Sequence, residues 1–519
     1  MGLIVVSNRV AEAKAGGPIS GGLAAALIPA ISRHGAIWVG FSGDAGGTCR
    51  ASDRLADVRA LGAGAAIVVD PPEEHYAGYY EGFANSALWP ALHSRLDLVE
   101  VTEDHYASYR EANAFMARAL TCLDGPDSVF WIHDYHFLPL GADMRRLGIR
   151  RPIGFFLHTP WPDRRGIAAV PHHRDILREM LAYDLVGFQT VEARRNFEDD
   201  LRHQLGLTPA NDTIASEWGS TRLATFPVGI DADEFAARAA LSVTRPDVAR
   251  LRASLQTSKL LLGVDRLDYS KGLTNRFRAF DRMLEIAPEQ KREVALLQIA
   301  APSRGNIRAY RALKADLDSL AAEINCRHRR PDWTPIRYLN REFSQSTLAG
   351  LYRTAQVGLV TPFRDGMNLV AKEFVAAQDP ADPGVLILSQ FAGAAQELDA
   401  ALLVNPHDVD GMARQIARAL AMTVGERRER WQQMATKLQR GAPHDWFSAY
   451  LDTLSQARRS PPAPPAPTLL HFGANSPHQY EDVTPPSIRT SLPVMNAPSV
   501  PSSNAAGRDH DAVASPFLG

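Results

Sequence analysis

Of the 519 residues, the last 60 hold 12 of the 35 prolines, which leaves about 460 residues for folded structure, room for two large α/β domains. Apolar residues make up 45% and charged residues 22%, the balance of a globular chain that folds in water, and a formal net charge of -2 offers no basic field to nucleic acid or an anionic membrane. Cys49, Cys122 and Cys326 form no C-x-x-C pair, so neither a disulfide framework nor a cysteine metal site is expected, and a reducing cytoplasm suits the chain.

In chain order, Leu3–Val6 comes first. This run is too short for a signal-peptide core and reads as a buried strand. No run reaches the roughly 18 apolar residues of a membrane span. Ala36–Val39, Ala66–Val69, Ser128–Ile132, Ile153–Leu157, Leu185–Gln189 and Leu223–Pro227 read as further strands, with helices at Arg110–Cys122 and His173–Tyr183. The pattern restarts after P-V-G-I-D-A-D-E-F, Pro227 to Phe235. Strands are predicted at Lys259–Val264, Val294–Ala300, Ile336–Leu339, Val357–Val360, Gly384–Leu388 and Ala401–Val404, with a helix at Leu273–Ile286. Alternating strands and helices imply parallel, doubly wound sheets. The expected division is 1–227, 228–458 and a tail, 459–519. From Ser460 the chain carries P-P-A-P-P-A-P, six charged residues and no apolar period, so disorder is expected there.

Ligands of such sheets sit beyond the carboxyl ends of the strands, so two facing sheets would hold theirs in a cleft between them. Arg9 ends the first strand, and G-G-P-I-S-G-G, Gly16 to Gly22, precedes a helix, Leu23 to Ile31. Glycines there would let backbone amides approach a phosphate, but the spacing is not that of a dinucleotide site. Asp134, in W-I-H-D-Y-H, and His158, in F-F-L-H-T-P-W-P, follow strands and would project into the cleft. His133, His136, His172 and His173 lack metal-ligand spacing and read as structural. D-A-D at 231–233 and D-V-D at 408–410 read as helix caps. In V-D-R-L-D-Y-S-K-G, Arg266 and Lys271 lie in a loop before a helix that opens at Gly272, a diphosphate site that needs no metal. Arg304, in A-P-S-R-G, ends the next strand. In V-T-P-F-R-D-G-M-N-L-V-A-K-E, Asp365 can accept sugar hydroxyls, the amides of Met367 to Val370 open a helix, and Glu373 can accept from a ribose diol.

S-N-R, G-G-L, L-W-P, W-I-H-D-Y-H, G-F-F-L-H, R-L-D-Y-S-K-G, S-R-G and R-D-G-M-N-L-V-A-K-E, in order from about Leu3 to Phe447, resemble glycosyltransferase family 20. The resemblance implies two Rossmann-like domains in the GT-B arrangement. The implied reaction moves glucose from UDP-glucose to glucose 6-phosphate, retains the α configuration, yields α,α-trehalose 6-phosphate and UDP, and uses no metal or other cofactor. On the donor side it matches Gly21 and Gly22 to amides near the diphosphate, and Arg266 and Lys271 to the diphosphate clamp. Asp365 with Gly366, Met367 and Asn368 match the glucose site. Leu369, Val370, Ala371, Lys372 and Glu373 match the nucleotide site, and Phe343 a uracil-side position. Arg9, Tyr80, Trp89 and Arg304 match the acceptor side, with Arg9 and Arg304 on the 6-phosphate. Asp134 would bind acceptor hydroxyls and His158 would lie beside the transferred glucose. The catalytic set is thus Asp134, His158, Arg266, Lys271 and Asp365. T-P-W-P-D-R-R-G, Thr159 to Gly166, departs from the usual P-F-P pattern. The resemblance also implies a homo-oligomer, a tetramer, while the charge balance predicts no nucleic acid and no membrane as partner. The alternatives are a related enzyme using ADP-glucose and glycerol 3-phosphate, and a catalytically silent sugar-phosphate sensor.

Overall fold

The computed structural model describes residues 2–10, 27–28, 31, 35–43, 57–61, 63–255, 257, 259–328, 330–439 and 441–457. Gly21, Gly22 and the tail from Ser460 lie outside the described residues, as does most of the helix expected at 23–31.

The first sheet is built from β1 (Gly2–Arg9), β2 (Ile37–Phe41), β3 (Asp57–Leu61), β4 (Gly64–Val68), β5 (Ser128–His133), β6 (Ile153–Leu157), β7 (Leu185–Phe188), β8 (Thr213–Ser216) and β9 (Gly219–Thr225). Their spatial order is β3-β4-β2-β1-β5-β6-β7-β9-β8. All pairs are parallel except at the two edges, where β3 runs against β4 and β8 against β9. Every residue of β5 is buried, as in a strand covered on both faces, which explains its unbroken apolar run. The edge strands β3 and β8 were not expected from the sequence. The β8–β9 hairpin turns at Glu217-Trp218, without the Asn-Gly or Asp-Gly that marks a hairpin.

The second sheet holds β10 (Lys259–Arg266), β11 (Val294–Ala301), β12 (Ile336–Leu339), β13 (Val357–Val360), β14 (Val385–Ser389) and β15 (Leu402–Val404), in the order β12-β11-β10-β13-β14-β15. Its pairs are all parallel. In the first sheet the chain reverses its direction of advance between β1 and β5, and in the second between β10 and β13. A crevice opens at such points, because the loops on either side leave in opposite directions. Helix α1 (Leu273–Ile286) has the bounds read from the sequence. Helix α2 (Leu369–Ala377) starts later than the expected Met367, because Asn368 takes a left-handed conformation, φ 75°, and caps it.

The chain crosses from the first sheet to the second at Val228-Gly229 and returns near Gly441. These crossings touch: a Cβ on Gly229 would lie 1.4 Å from the Gly441 carbonyl oxygen. Helix α3 (Pro443–Ala457), expected with the second domain, packs instead on the first sheet. Trp446, Phe447, Tyr450 and Leu454 join Trp131, Phe156, Leu185 and Phe226 in one cluster. Glycines in β6 and β7 make the slot: a Cβ on Gly154 or Gly187 would meet the Tyr450 ring or hydroxyl at 2.5–2.8 Å. The Tyr450 hydroxyl donates to the Phe155 carbonyl, 2.9 Å. Periodicity shows that α3 is amphipathic but not which sheet it covers. Among the described residues no helix is long and apolar enough to cross a membrane.

Candidate active site at the facing sheet edges

On the second sheet, β10 ends at the exposed Arg266, and the chain then makes a turn capped by Asp268. Gly272, at φ 66°, starts α1. A side chain there would meet the Thr361 carbonyl at 2.4 Å, so glycine is what lets this loop lie against the exit of β13. Beneath it, the buried Arg276 donates to Thr361 Oγ1 (3.0 Å), Gln298 Oε1 (2.8 Å) and the Lys271 carbonyl (3.3 Å), and pairs with Asp265. This network joins the two loops of the crevice. Lys271 Nζ meets Asp365 Oδ2 at 2.6 Å, and Asn368 Nδ2 donates to the same oxygen at 2.9 Å. Burial opposes ionisation of Asp365, but Lys271 outweighs it and holds the carboxyl below its usual range.

The start of α2 follows at once. Asn368 Oδ1 accepts from the Ala371 N–H, 3.3 Å, and the N–H groups of the first turn face out of the helix end. Leu369 and Val370 are half-buried and join the same apolar cluster as Phe343, over whose ring the Arg341 guanidinium lies at 4.5 Å. Burial raises Glu373 to about 7; the Tyr352 hydroxyl reaches it at 3.4 Å. Met367 and Ala371 are buried. The Lys372 side chain is buried and engaged elsewhere, donating to the Val228 carbonyl and to Glu397, each at 2.8 Å. The match of Lys372 to the nucleotide site therefore rests on its backbone.

On the first sheet, Arg9 ends β1 exposed, its guanidinium 4.9 Å from the Tyr80 ring centre and 3.3 Å from the Tyr76 hydroxyl. Tyr80 stacks on His136, 5.9 Å between centres and 10° between planes. It sits on a π-helix, Ala77–Leu88, that delivers Trp89. Asn85 and Ser86 bond to the carbonyls of Tyr80 and Glu81, five residues back, which supports the wide turn. Asp134 follows β5 at φ 73°, and its Oδ1 accepts from the His158 N–H, 3.2 Å. Burial raises this carboxyl to about 6. Burial lowers His158 to about 3. Its Nε2 lies 3.0 Å from His133 Nδ1 and its Nδ1 3.4 Å from Gln189 Nε2.

The two walls meet. Arg304, at φ 48° beyond β11, bonds Asp268 Oδ2 (3.0 Å) and the hydroxyls of Tyr310 (2.6 Å) and Tyr135 (3.0 Å). Its guanidinium lies 3.9 Å from the Trp89 ring centre, and that of Arg266 lies 5.3 Å away. Trp89 Nε1 reaches Asp268 Oδ1 at 3.4 Å. A Cβ on Gly366 would come within 1.9 Å of the His158 carbonyl oxygen. Trp89, Arg266, Asp268 and Arg304 thus form one group, and Lys271, Asp365, Gly366, His158 and Asp134 a second. Arg9 and Tyr80 form the outer rim of the first wall. Phe343 and Glu373 lie farther along the second. Of the histidines read as structural, His172 pairs with Glu103, His133 faces His158 and His136 stacks on Tyr80. The sequence reading passed over Asp268, Tyr135, Tyr310 and Gln189. Asp268 had a signal, a carboxylate flanked in one short loop by Arg266 and Lys271. Tyr135 and Gln189 had none, since their partners lie far away in the chain, and Tyr310, six residues past Arg304, sits on a helix whose pattern reads it as core.

The model of glycosyltransferase family 20 matches residues 10–456. A trehalose-6-phosphate synthase of Sinorhizobium fredii is 43% identical over 458 residues, 87% of this chain and 98% of that protein. A crystal structure of a UDP-forming α,α-trehalose-phosphate synthase from Burkholderia xenovorans, in complex with glucose-6-phosphate, is 42% identical, covers 88% of this chain and 100% of its own, and superposes with a TM-score of 0.84. An E. coli structure bound with UDP-2-fluoro glucose is 39% identical over 88% of this chain and 99% of its own, with a TM-score of 0.82. The match runs through both sheets, and the likeness extends to the fold as a whole: the chain belongs to glycosyltransferase family 20, with its GT-B arrangement of two α/β domains.

Proposed function

We propose that this protein transfers glucose from UDP-glucose to glucose 6-phosphate with retention, forming α,α-trehalose 6-phosphate and UDP. The observation that carries the reading is the meeting of Trp89 and Tyr135, from the first sheet, with Arg266, Asp268 and Arg304, from the second, at the carboxyl ends of facing strands. The first sheet is the acceptor side and the second the donor side. Arg266 and Lys271 hold the diphosphate, with Gly21 and Gly22. Asp365 and the backbone of Gly366, Met367 and Asn368 hold the glucose. Leu369 to Glu373 and Phe343 hold the uridine, with Glu373 on the ribose. Arg9 and Arg304 hold the acceptor phosphate, Tyr80 and Trp89 line its sugar, and Asp134 accepts its hydroxyls. Six-membered sugars pack well on aromatic rings, and a phosphate favours the Arg9 guanidinium.

The bond from glucose C1 to the UDP oxygen breaks with oxocarbenium character. Negative charge gathers on the departing diphosphate, where Arg266, Lys271 and the α2 amides already point, so no reorganisation is needed as it grows. The acceptor hydroxyl attacks the same face, and its proton passes to the departing phosphate oxygen. His158, with its pKa near 3, is neutral at working pH and lines the glucose without supplying a proton. The reading extends to a cytoplasmic homo-oligomer, on family resemblance alone, which light scattering of the purified protein tests.

UDP release from UDP-glucose, measured with and without glucose 6-phosphate, tests the reaction. Acceptor-dependent release with a phosphorylated, non-reducing disaccharide as product is expected. Absence of acceptor-dependent release overturns the reading.

A further inference from the structure

Gln189 lies just past β7, buried, with no charge to contribute. Its two amide ends serve two different elements. Oε1 accepts from the N–H of Val228, 3.0 Å, at the crossing between sheets. Nε2 faces Nδ1 of His158 at 3.4 Å. A backbone N–H can only donate, so the amide cannot be turned round. Its nitrogen end must then face the imidazole, and an amide nitrogen cannot accept. His158 Nδ1 is therefore the acceptor and the ring carries its proton on Nε2. That proton points at His133 Nδ1, 3.0 Å away, which in turn places the His133 proton on Nε2. Among the described residues His133 Nε2 has no hydrogen-bond partner. The opposite arrangement would leave a lone pair rather than a proton unmet there, and burying an unpaired donor is costly. The imidazole pair does not choose its own proton order; the amide imposes it.

Val228 is held at its other backbone group as well. Its carbonyl accepts from Lys372 Nζ, 2.8 Å, on α2. One residue of the crossing, Val228, is therefore held by the first sheet at its N–H and by the donor-side helix at its carbonyl, which fixes two successive peptides. The residue on which the first grip converges, His158, presents its carbonyl to Gly366 next to Asp365.

We propose that Gln189 is a positioning residue that fixes His158 as the neutral, Nε2-protonated tautomer and ties that ring to the crossing peptide at Val228. The link between this and turnover rests on the glucosyl transfer proposed above. The proton order does not.

The experiment uses the full chain with 15N-labelled histidine. Two-bond 1H–15N spectra report which ring nitrogen carries the proton, and His158→Asn assigns the signal. In the wild type, His158 should be protonated on Nε2. In Gln189→Glu, a carboxylate must accept from both Val228 and His158. The protons of His158 and His133 should both move to Nδ1, a reversal that mere loosening of the fold would not produce. In Gln189→Leu, which keeps volume but ends both bonds, kcat should fall about 10-fold to 100-fold while the KM of either substrate changes less than about threefold, since misplacement of a group that lines the reacting sugar costs rate before affinity. His158 protonated on Nδ1 in the wild type, or an unchanged tautomer in Gln189→Glu, overturns the assignment. Unchanged kcat in Gln189→Leu overturns the link to catalysis. Because the spectra need no turnover, an enzyme inactive toward glucose 6-phosphate but showing the reversal would refute the proposed reaction and leave Gln189 in its role.

Discussion

The two walls of the site handle charge differently. On the second sheet the carboxylates at the crevice have cations of their own: Asp365 has Lys271 and Asp268 has Arg304, and both stay ionised despite burial. On the first sheet Asp134 accepts from backbone N–H groups and has no ion-pair partner among the described residues; burial outweighs these bonds and the more distant Arg304 and carries it up to about 6. Its surroundings are rings: Tyr80 on His136, and Trp89 on Tyr135. On the proposed reaction, the wall assigned to the departing diphosphate is thus a preorganised ionic lattice. The wall assigned to the acceptor sugar is an aromatic surface that includes the carboxylate of Asp134 and the exposed Arg9.

If that contrast is right, damage to the walls should differ in kind. Lys271→Ala should have the largest effect, lowering kcat about 10²–10³-fold with little change in acceptor KM, as for loss of one preorganised donor. Steady-state kinetics in both substrates checks it, and Arg266→Ala should follow the same pattern. Arg9→Ala should instead raise KM for glucose 6-phosphate about 10-fold to 100-fold, the worth of a charge-assisted bond, and leave slow hydrolysis of UDP-glucose in water nearly intact. If Arg9→Ala abolished that hydrolysis and Lys271→Ala spared it, the walls would be the wrong way round.

A smaller effect sharpens the same comparison. Glu373 stands on the donor side with no ion-pair partner among the described residues; burial outweighs the pull of Tyr352 and Arg238 and lifts it to about 7. As pH rises through 7 the carboxylate forms, and the KM for UDP-glucose should fall about fivefold, because an ionised acceptor bonds the ribose diol more strongly. Glu373→Gln should flatten that profile. Folding stability moves the other way: folded Glu373 keeps its proton up to about 7 while the unfolded carboxyl loses it near 4.5, so its contribution declines as pH rises across that window. Excess EDTA should change nothing measurable, since two cations and a helix start already face the diphosphate. Inhibition by EDTA that Mg²⁺ reverses would count against that arrangement.

Much of the donor wall was legible because it is local. Arg266, Lys271 and Gly272 fall in one loop, and Asp365 to Glu373 in one turn and helix. The short buried strands β6 and β13 have the predicted bounds because apolar runs bounded by turns leave little choice, and the partly exposed edge strand β12 has them too. What stayed hidden is long-range. Asp268 acts through Trp89, 179 residues away, and Arg304 through Tyr135, 169 away. The Asn368 cap shifted the start of α2 because asparagine tolerates a left-handed backbone where other residues would continue the helix.

The slot formed by Gly154 and Gly187 also has a consequence in time. Its filler, Tyr450, follows the end of the first sheet by about 220 residues, which a ribosome adds in roughly 10–45 s. Throughout that interval the nascent first sheet shows an uncovered aromatic furrow of Trp131 and Phe156. Its maturation is therefore tied to near-completion of the second sheet, and an arrest of translation before residue 446 would leave a sticky half-molecule rather than a finished domain.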